Sequence, residues 1–158
     1  MAKIKLTKNE LKTQKDALKR FTRYLPTLEL KKKQLLVEIH RIQKEIDELQ
    51  RENESVEREV SRWVDVFGDD TVDIAGYIEI DELITGTGNI AGIDIPVFEN
   101  LTFKDIEYDY FETPLWIDRG IAVAKEQMKR QAEWETLQQQ KELIENELRT
   151  TIQRIKLF

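Results

Sequence analysis

The chain has 158 residues, of which 35% are charged and 40% are hydrophobic, a mixture typical of coiled coils and long helices. It contains no cysteine, which excludes disulfide bonds and thiolate metal sites. No apolar run approaches the roughly 20 residues that span a bilayer, so the sequence predicts a cytoplasmic protein without direct membrane insertion.

The net charge of −6 is unevenly distributed along the chain. Residues 1–34 carry eleven Lys or Arg against three acidic residues, whereas residues 65–113 carry thirteen Asp or Glu against Lys104 alone. The two regions should therefore attract different partners. Nucleic acid is a weak candidate for the basic region, because few aromatic side chains accompany it and the whole chain is acidic. The alternative interpretation of the basic region is a solvated helix face that binds no partner.

The first predicted element is a coiled-coil helix over residues 1–67, whose basic arm is residues 1–34. Thr7 and Glu10 have the spacing of a capping box. Pro26 predicts a kink or a short break near residues 24–26. Two positions of each heptad are mostly apolar, which indicates a coiled-coil seam. The seam residues are Leu28, Leu35, Ile39, Ile42, Ile46, Leu49, Val56, Val60 and Trp63.

The second predicted element is an acidic insert over residues 68–112 that contains a β-hairpin. Short runs of alternating apolar residues begin at Tyr77, at Ile93 and at Leu101. Glycine and asparagine are the residues that tight turns require, so residues 86–89 are predicted to form the turn.

The glycines of this insert also fit the G-x-G-x-x-G/A pattern of dinucleotide-binding loops, from Gly86 to Ala91. Such a loop must open a helix, whose N-terminus binds the pyrophosphate. Here the following residues, 93–97, are strand-like and contain Pro96. The sequence therefore favours a hairpin over a nucleotide site and predicts no cofactor.

The third predicted element is a coiled-coil helix over residues 113–158, with Thr113 as N-cap and Pro114 in the first turn. Its seam is less regular and contains Leu137, Ile144 and Leu148.

Two apolar stripes joined by a compact insert predict a long antiparallel two-helix coiled coil, so the fold class is mostly α. The predicted register brings Trp63 near Trp116 and Phe158 near Phe21. In this pairing Leu11 and Leu18 have no partner helix, which suggests a missing C-terminal piece or a second protein.

Candidate catalytic groups are sparse. His40 lies on a charged helix face, and the two serines, Ser55 and Ser61, have no base beside them. The acidic pairs at residues 69–70 and 81–82 lack the spacing of an EF-hand. The sequence therefore predicts no catalytic residue, no metal site and no enzymatic activity.

Three stretches together resemble a known family. The segment NIAGIDIPV at residues 89–97 resembles the I-A-G-V-x-V-P segment of the D subunits of V-type and A-type ATPases and ATP synthases. The segment TPLWID at residues 113–118 resembles the start of that family's second helix, and residues 6–36 are similar to its bacterial branch. The matching motif residues are Asn89, Ala91, Gly92, Pro96, Thr113, Pro114, Trp116 and Asp118.

The resemblance implies a central rotor shaft that turns between a catalytic head of A and B subunits and a membrane ring that carries ions. It implies contacts with the F subunit on the side of the shaft and with the C/d subunit, which lies at the rotor end. It also implies a chain that is truncated at its C-terminus and a location peripheral to the membrane through the ATPase complex. Five basic residues are predicted to contact the head: Lys12, Lys15, Lys19, Arg20 and Arg23.

Two other interpretations remain at this point. A prefoldin-like chaperone is also a helix hairpin with a β insert, and it would self-assemble through residues 71–104. A generic coiled-coil scaffold would associate in parallel and offers no reason for the insert.

Overall fold

A computed structural model describes residues 7–67, 74–108, 111 and 116–157 of the chain. Its elements are helix α1 (Lys8–Phe67), a short 3₁₀ helix (Ile74–Tyr77), strand β1 (Ile80–Ile90), strand β2 (Ile93–Phe103) and helix α2 (Ile117–Leu157). The predicted fold class is confirmed, since the chain consists mainly of two long helices with a small antiparallel β-hairpin between them in the sequence.

Helix α1 has 60 residues and is therefore about 90 Å long. The backbone N–H of Glu10 donates a hydrogen bond to Thr7 Oγ1 (3.2 Å), as the predicted cap requires. The helix continues through Pro26, so the short break that was one alternative there does not occur. Proline removes only one helical hydrogen bond, and the turns on either side keep theirs. A kink at Pro26 stays a prediction.

Helix α2 begins at Ile117, and the N–H of Gly120 closes its first turn on the carbonyl oxygen of Trp116 (2.9 Å). The predicted cap, Thr113 and Pro114, lies outside the described residues. Asp118 is an acidic residue in the first turn, where it interacts favourably with the positive end of the helix dipole.

The two helices run antiparallel. Lys31 in the first half of α1 contacts Glu147 near the end of α2, and Asn53 in the second half of α1 contacts Arg130. The predicted register places Glu147 beside residues 31 and 32, in agreement with the first contact. Arg130 contacts α1 about one turn further along than that register gives, and so does Gln127, whose Nε2 donates a hydrogen bond to Glu57 Oε1 (3.4 Å).

A continuous hydrophobic core lies between the helices and extends into the hairpin. Its buried members are Leu35, Ile42, Ile46, Ile95, Leu137 and Ile144. Five of these six residues belong to the helices. Leu35 and Ile42 are seven residues apart on α1, and Leu137 and Ile144 are seven residues apart on α2, as a coiled-coil seam requires. Leu35, Ile42 and Ile144 are 0% exposed. The remaining described seam residues are half-buried: Leu28, Ile39, Leu49, Val56, Val60 and Leu148.

The turn between β1 and β2 consists of Ala91 and Gly92, with φ angles of 51° and 83°. Positive φ at both central residues is the feature of a type I′ turn, which matches the twist of a hairpin. The predicted turn at residues 86–89 was wrong, because all four residues lie within β1 and pair with β2. A strand, not a helix, follows the glycines, so the rejected nucleotide-binding loop is absent from this segment.

Glycine is accepted inside β1 because neighbouring side chains fill the space beside it. A Cβ added to Gly88 would stand 3.0 Å from Val97 Cγ2 and 3.5 Å from Ile95 Cγ1. The side chain of Ile95 reaches the helical core partly because Gly88, its cross-strand neighbour, has none. The absence of a side chain here therefore serves packing between strand and helices.

The hairpin lies against α2 through β2. Ile95 belongs to the core cluster, and Gln140 Nε2 of α2 donates a hydrogen bond to the carbonyl oxygen of Pro96 (2.6 Å). Nearer the start of α2, Lys125 Nζ lies 5.4 Å from the centre of the Phe103 ring, a cation–π contact. The hairpin therefore folds back beside the helix pair and adds bulk to one side of it.

Candidate partner-binding surfaces

Polar contacts between the helices hold the coiled coil in register. Lys31 Nζ lies 2.5 Å from Glu147 Oε1, and both side chains are 28% exposed. Asn53, a polar residue within the heptad seam, accepts a hydrogen bond from Arg130 Nε (2.9 Å). Polar seam residues fix the register of a coiled coil, because any other alignment leaves them without a partner. The two contacts lie on opposite sides of the buried core, which limits sliding of one helix along the other.

The five predicted head-contacting residues form a basic stripe on the N-terminal part of α1, defined as Lys12, Lys15, Lys19, Arg20 and Arg23. Four of them recur every three or four residues and share one helix face, and Arg20 lies beside that face. All five side chains are exposed. Among the described residues, none of the five forms an ion pair. Their charges are therefore available to a partner.

An apolar stripe, defined as Leu11 and Leu18, lies beside the basic stripe on the same part of α1. The two residues are seven positions apart and share one helix face, about a quarter turn from the centre of the basic stripe. Leu11 is 57% exposed and Leu18 is 64% exposed. The sequence predicted that these residues have no partner in the helix pair, and their exposure agrees. An exposed apolar face on a helix is typical of a surface that a further segment of the same chain or another protein covers.

A cleft opens between the hairpin and the helix pair, and its lining mixes apolar and charged residues. Ile95 and Leu137 form its apolar part, while Arg41, Glu45 and Glu133 form its charged part. Arg41 Nη1 donates to Glu45 Oε1 (2.7 Å) and its Nε donates to Glu38 Oε2 (2.9 Å). The hydrogen bond to Glu38 raises the pKa of Arg41.

Two carboxylates line this cleft, Glu45 and Glu133. Among the described residues Glu45 pairs with Arg41, whereas Glu133 forms no ion pair. Burial raises the pKa of Glu133, and the charges of Glu45 and Glu52 raise it further. A half-buried carboxylate that faces two others across the helix interface costs free energy when it is ionised. The ionised form of Glu133 therefore destabilises this part of the interface between the helices.

The motif residues of the hairpin are turn-forming and docking residues. Asn89 Oδ1 accepts a hydrogen bond from the N–H of Gly92 (3.2 Å), and Asn89 Nδ2 donates to Asp94 Oδ1 (3.1 Å). Ala91 takes the positive φ and packs against the core cluster, and the carbonyl oxygen of Pro96 receives the bond from Gln140. These residues shape the turn and fasten it to α2, so each has a structural role in the hairpin.

The remaining motif residues lie at the start of α2. Trp116 is half-buried and Asp118 is exposed, while Ile117 between them is 1% exposed. Thr113 and Pro114 lie outside the described residues, as does the side chain of the seam residue Trp63. The segment thus places one buried anchor at the point where the chain re-enters the helix pair.

Two docking residues carried no signal in the sequence. Gln140 is a polar residue outside the predicted seam, and Ile95 is one of several alternating strand residues. Their roles depend on the hairpin folding back onto α2, which no local pattern encodes. Asn53, in contrast, stands seven residues after Ile46 and seven before Val60, so its position in the seam is readable from the sequence.

Among the described residues, neither helix has an apolar stretch long enough to cross a membrane. The described part of the chain also holds no group of three or more His, Asp or Glu side chains arranged to bind a metal ion.

Comparison with known proteins identifies the family. Residues 10–158 match the family model that describes the D subunit of ATP synthase. The chain is 40% identical over its full length to the V-type ATP synthase D subunit of Borreliella burgdorferi, of which it covers 78%. It is 34% identical to the protein of that name in Chlamydia muridarum, with 99% of this chain and 78% of the relative covered. The relative from Chlamydia caviae is 32% identical, with 99% and 76% covered. The chain therefore belongs to the family of ATP synthase D subunits.

Proposed function

We propose that the chain is the central rotor shaft of a V/A-type rotary ATPase and transmits torque between the A/B catalytic head and the membrane ring that carries ions. The observation that supports this most is the long antiparallel coiled coil, with polar contacts between its helices on both sides of the buried core. A single helix of this length bends easily, whereas two helices packed side by side resist bending and twisting.

A rotor must also present different faces to chemically similar catalytic sites. The hairpin lies on one side of the helix pair, and the basic stripe and the apolar stripe occupy different faces of the N-terminal part of α1. These features make the cross-section of the molecule unsymmetrical along most of its length. The chain itself breaks and forms no bond in this role, and catalysis belongs to the head.

The basic stripe is the surface that we assign to the head. Its five charges are exposed and form no ion pair within the described residues, so they are suited to acidic loops that line a central cavity. Charge contacts of this kind act over several ångströms and tolerate sliding, which a rotating shaft requires. At the other end, the acidic insert is assigned to the C/d subunit, and the flank of the helix pair to the F subunit.

The test is charge reversal of the basic stripe. The triple variant Lys12→Glu, Lys15→Glu and Lys19→Glu should weaken binding to the A/B head by roughly tenfold or more and lower ATP hydrolysis by the assembled complex. The matched control reverses Lys44, Arg51 and Arg62, which are exposed on α1 outside the basic stripe and change the net charge equally. Both variants keep their core residues, so circular dichroism should show equal helix content.

Equal hydrolysis in the triple variant and the wild type would contradict the assignment of the basic stripe. The prefoldin-like and scaffold alternatives are tested by the molar mass in light scattering. An elongated monomer that joins the A/B ring at one copy per ring supports the shaft. A stable hexamer of this chain that ignores the ring would favour the chaperone instead.

A further inference from the structure

Strand β1 is an edge strand of 11 residues. It pairs with β2 on one side, and within the described residues no other strand joins the sheet. The side of the hairpin that lies against α2 is formed by β2, which carries both Ile95 and Pro96. The outer edge of β1 therefore faces away from the element that covers the hairpin.

The hairpin geometry determines which backbone groups of β1 point outwards. In a two-residue hairpin the residues that flank the turn, Ile90 and Ile93, form a hydrogen-bonded pair, and hydrogen-bonded and non-bonded pairs then alternate. The N–H and C=O groups of Asn89, Thr87 and Thr85 consequently point to the outer edge.

Pro96 provides an internal check on this alternation. Pro96 has no backbone N–H, and it lies opposite Thr87. At this position the N–H of β2 points outwards and takes no part in pairing with β1. Its carbonyl oxygen also points outwards, towards α2, and accepts the hydrogen bond from Gln140. Both facts agree with Thr87 and Pro96 being a non-bonded pair.

From residue 83 to residue 89, the outer edge of β1 lacks the features that protect edge strands. Natural sheets block their edges with Lys, Pro or bulges, because open N–H and C=O groups attract other strands. The edge of β2 has Pro96 and the cover of α2. Residues 83–89 of β1 contain no charged residue and no proline. The pairing has two irregularities: the extra residue of one, Glu99, belongs to β2, and the extra residue of the other, Asp81, precedes this stretch of β1.

The surroundings of this edge are acidic. Described residues 74–108 carry seven Asp or Glu and one Lys, and that Lys104 is paired with Glu79. A second copy of the chain would bring an equally acidic hairpin to the edge, so repulsion opposes self-pairing. A strand with Lys or Arg residues would be attracted instead.

We propose that the outer edge of β1 takes up an extended basic segment of another subunit of the rotary complex as a third strand. Backbone hydrogen bonds from Thr85, Thr87 and Asn89 supply the pairing, and Asp81 and Glu82 at the start of β1 select for positive charge. The inference rests on the proposed function for the source of the segment. It assigns to the hairpin a binding mode of its own.

The test is hydrogen exchange at single-residue resolution, on the free chain and on the chain assembled with the other subunits. In both states the amides of Gly86, Gly88 and Ile90 should exchange slowly, since they bond to β2. The amides of Thr85, Thr87 and Asn89 should exchange quickly in the free chain and roughly tenfold or more slowly in the complex. This alternating change distinguishes strand pairing from general burial of the hairpin.

Unchanged exchange of the three outward amides in an assembled complex would overturn the inference and leave the shaft proposal standing. A chain that does not assemble with the A and B subunits would overturn both. Equal slowing of every hairpin amide would also overturn the inference, because it indicates burial without a paired strand.

A variant pair provides an independent measurement. Thr85→Pro removes one outward N–H without removing a hydrogen bond to β2, and it should weaken assembly by roughly tenfold. Thr85→Val keeps the N–H and the side-chain shape and should assemble like the wild type. Equal assembly of the two variants would contradict the third strand.

Discussion

Glu133 lies on the face of α2 that is directed towards α1, where Glu45 and Glu52 are its acidic neighbours. Burial raises its pKa, and the two carboxylates raise it further. An acid with a higher pKa in the folded chain than in the unfolded chain holds its proton more tightly when folded. Its ionisation penalty is absent below the unfolded pKa, grows as pH rises towards the folded pKa, and is complete above it.

The variant Glu133→Gln should therefore have a higher midpoint of thermal unfolding than the wild type at pH 7 and the same midpoint near pH 4. Glutamine keeps the size and the helix propensity of the side chain while it removes the charge. Thermal denaturation followed by circular dichroism at both pH values measures the difference. Glu142→Gln, an exposed position on the same helix, is the control and should show no such pH-dependent gain.

Gly92 is the residue of the turn whose backbone most needs glycine. Its φ of 83° lies in the left-handed region, and a Cβ there would meet nothing within 4 Å, so backbone strain alone decides the effect. Gly92→Ala should lower the free energy of unfolding by roughly 1 kcal/mol, measured by urea denaturation. Gly76→Ala also places its Cβ in open space but has no positive φ, and a comparable loss there would contradict the explanation.

At the residue scale, the heptad periodicity is readable from the sequence, whereas the position of the turn was predicted wrongly. Leu35 and Ile42 stand seven residues apart on α1, as do Leu137 and Ile144 on α2, and periodicity alone indicates that they are buried. The turn was misplaced because Ala91 is an unusual residue at positive φ, whereas glycines such as those at 86 and 88 are common in turns. Only the packing of strand β2 over Gly88 explains why that glycine lies in a strand.

One described side-chain to backbone hydrogen bond fastens the hairpin to α2, in addition to the packing of Ile95 and the contact of Lys125 with Phe103. Gln140→Ala should remove the bond to Pro96 and favour local opening of the hairpin by about 1 kcal/mol. Hydrogen exchange should then quicken at the amides of β2, while the helix amides change less. Gln139→Ala, at the exposed neighbouring position, should leave exchange of the hairpin unchanged.

Element-scale prediction gave the two helices, the insert and their order, because periods of 3.5 and 2 residues are readable without a structure. The docking of the hairpin onto α2 could not be predicted from the sequence, since it joins Pro96 to Gln140, which lies 44 positions later. The start of α2 was expected at Thr113 from its cap pattern, and the described helix begins at Ile117.

At the scale of the whole molecule, Lys31 and Glu147 tie the first half of α1 to the last part of α2. Lys31→Glu should destabilise the fold through repulsion from Glu147, and the exchanged pair Lys31→Glu with Glu147→Lys should restore most of the loss. The coupling free energy in a double-mutant cycle should be about 0.5–1 kcal/mol, because both groups are partly exposed.

The control cycle exchanges Lys129 and Glu126, an ion pair within α2 that joins no other element. Its coupling should be smaller, and increasing salt should reduce both couplings. A coupling of zero for Lys31 and Glu147 would mean that the antiparallel register depends on the hydrophobic core and on the polar contacts of Asn53 and Glu57 with α2.

The hairpin lies between the two helices in the sequence, and this order has a consequence for folding. Its strands pair over short distances in sequence, so it can form within microseconds, long before residues at opposite ends of the chain meet. Once formed, it presents Ile95 and the carbonyl oxygen of Pro96 to the helix that follows. We expect a hairpin that forms early to orient α2 as it returns along α1, and to shorten the search by which two long helices find their alignment.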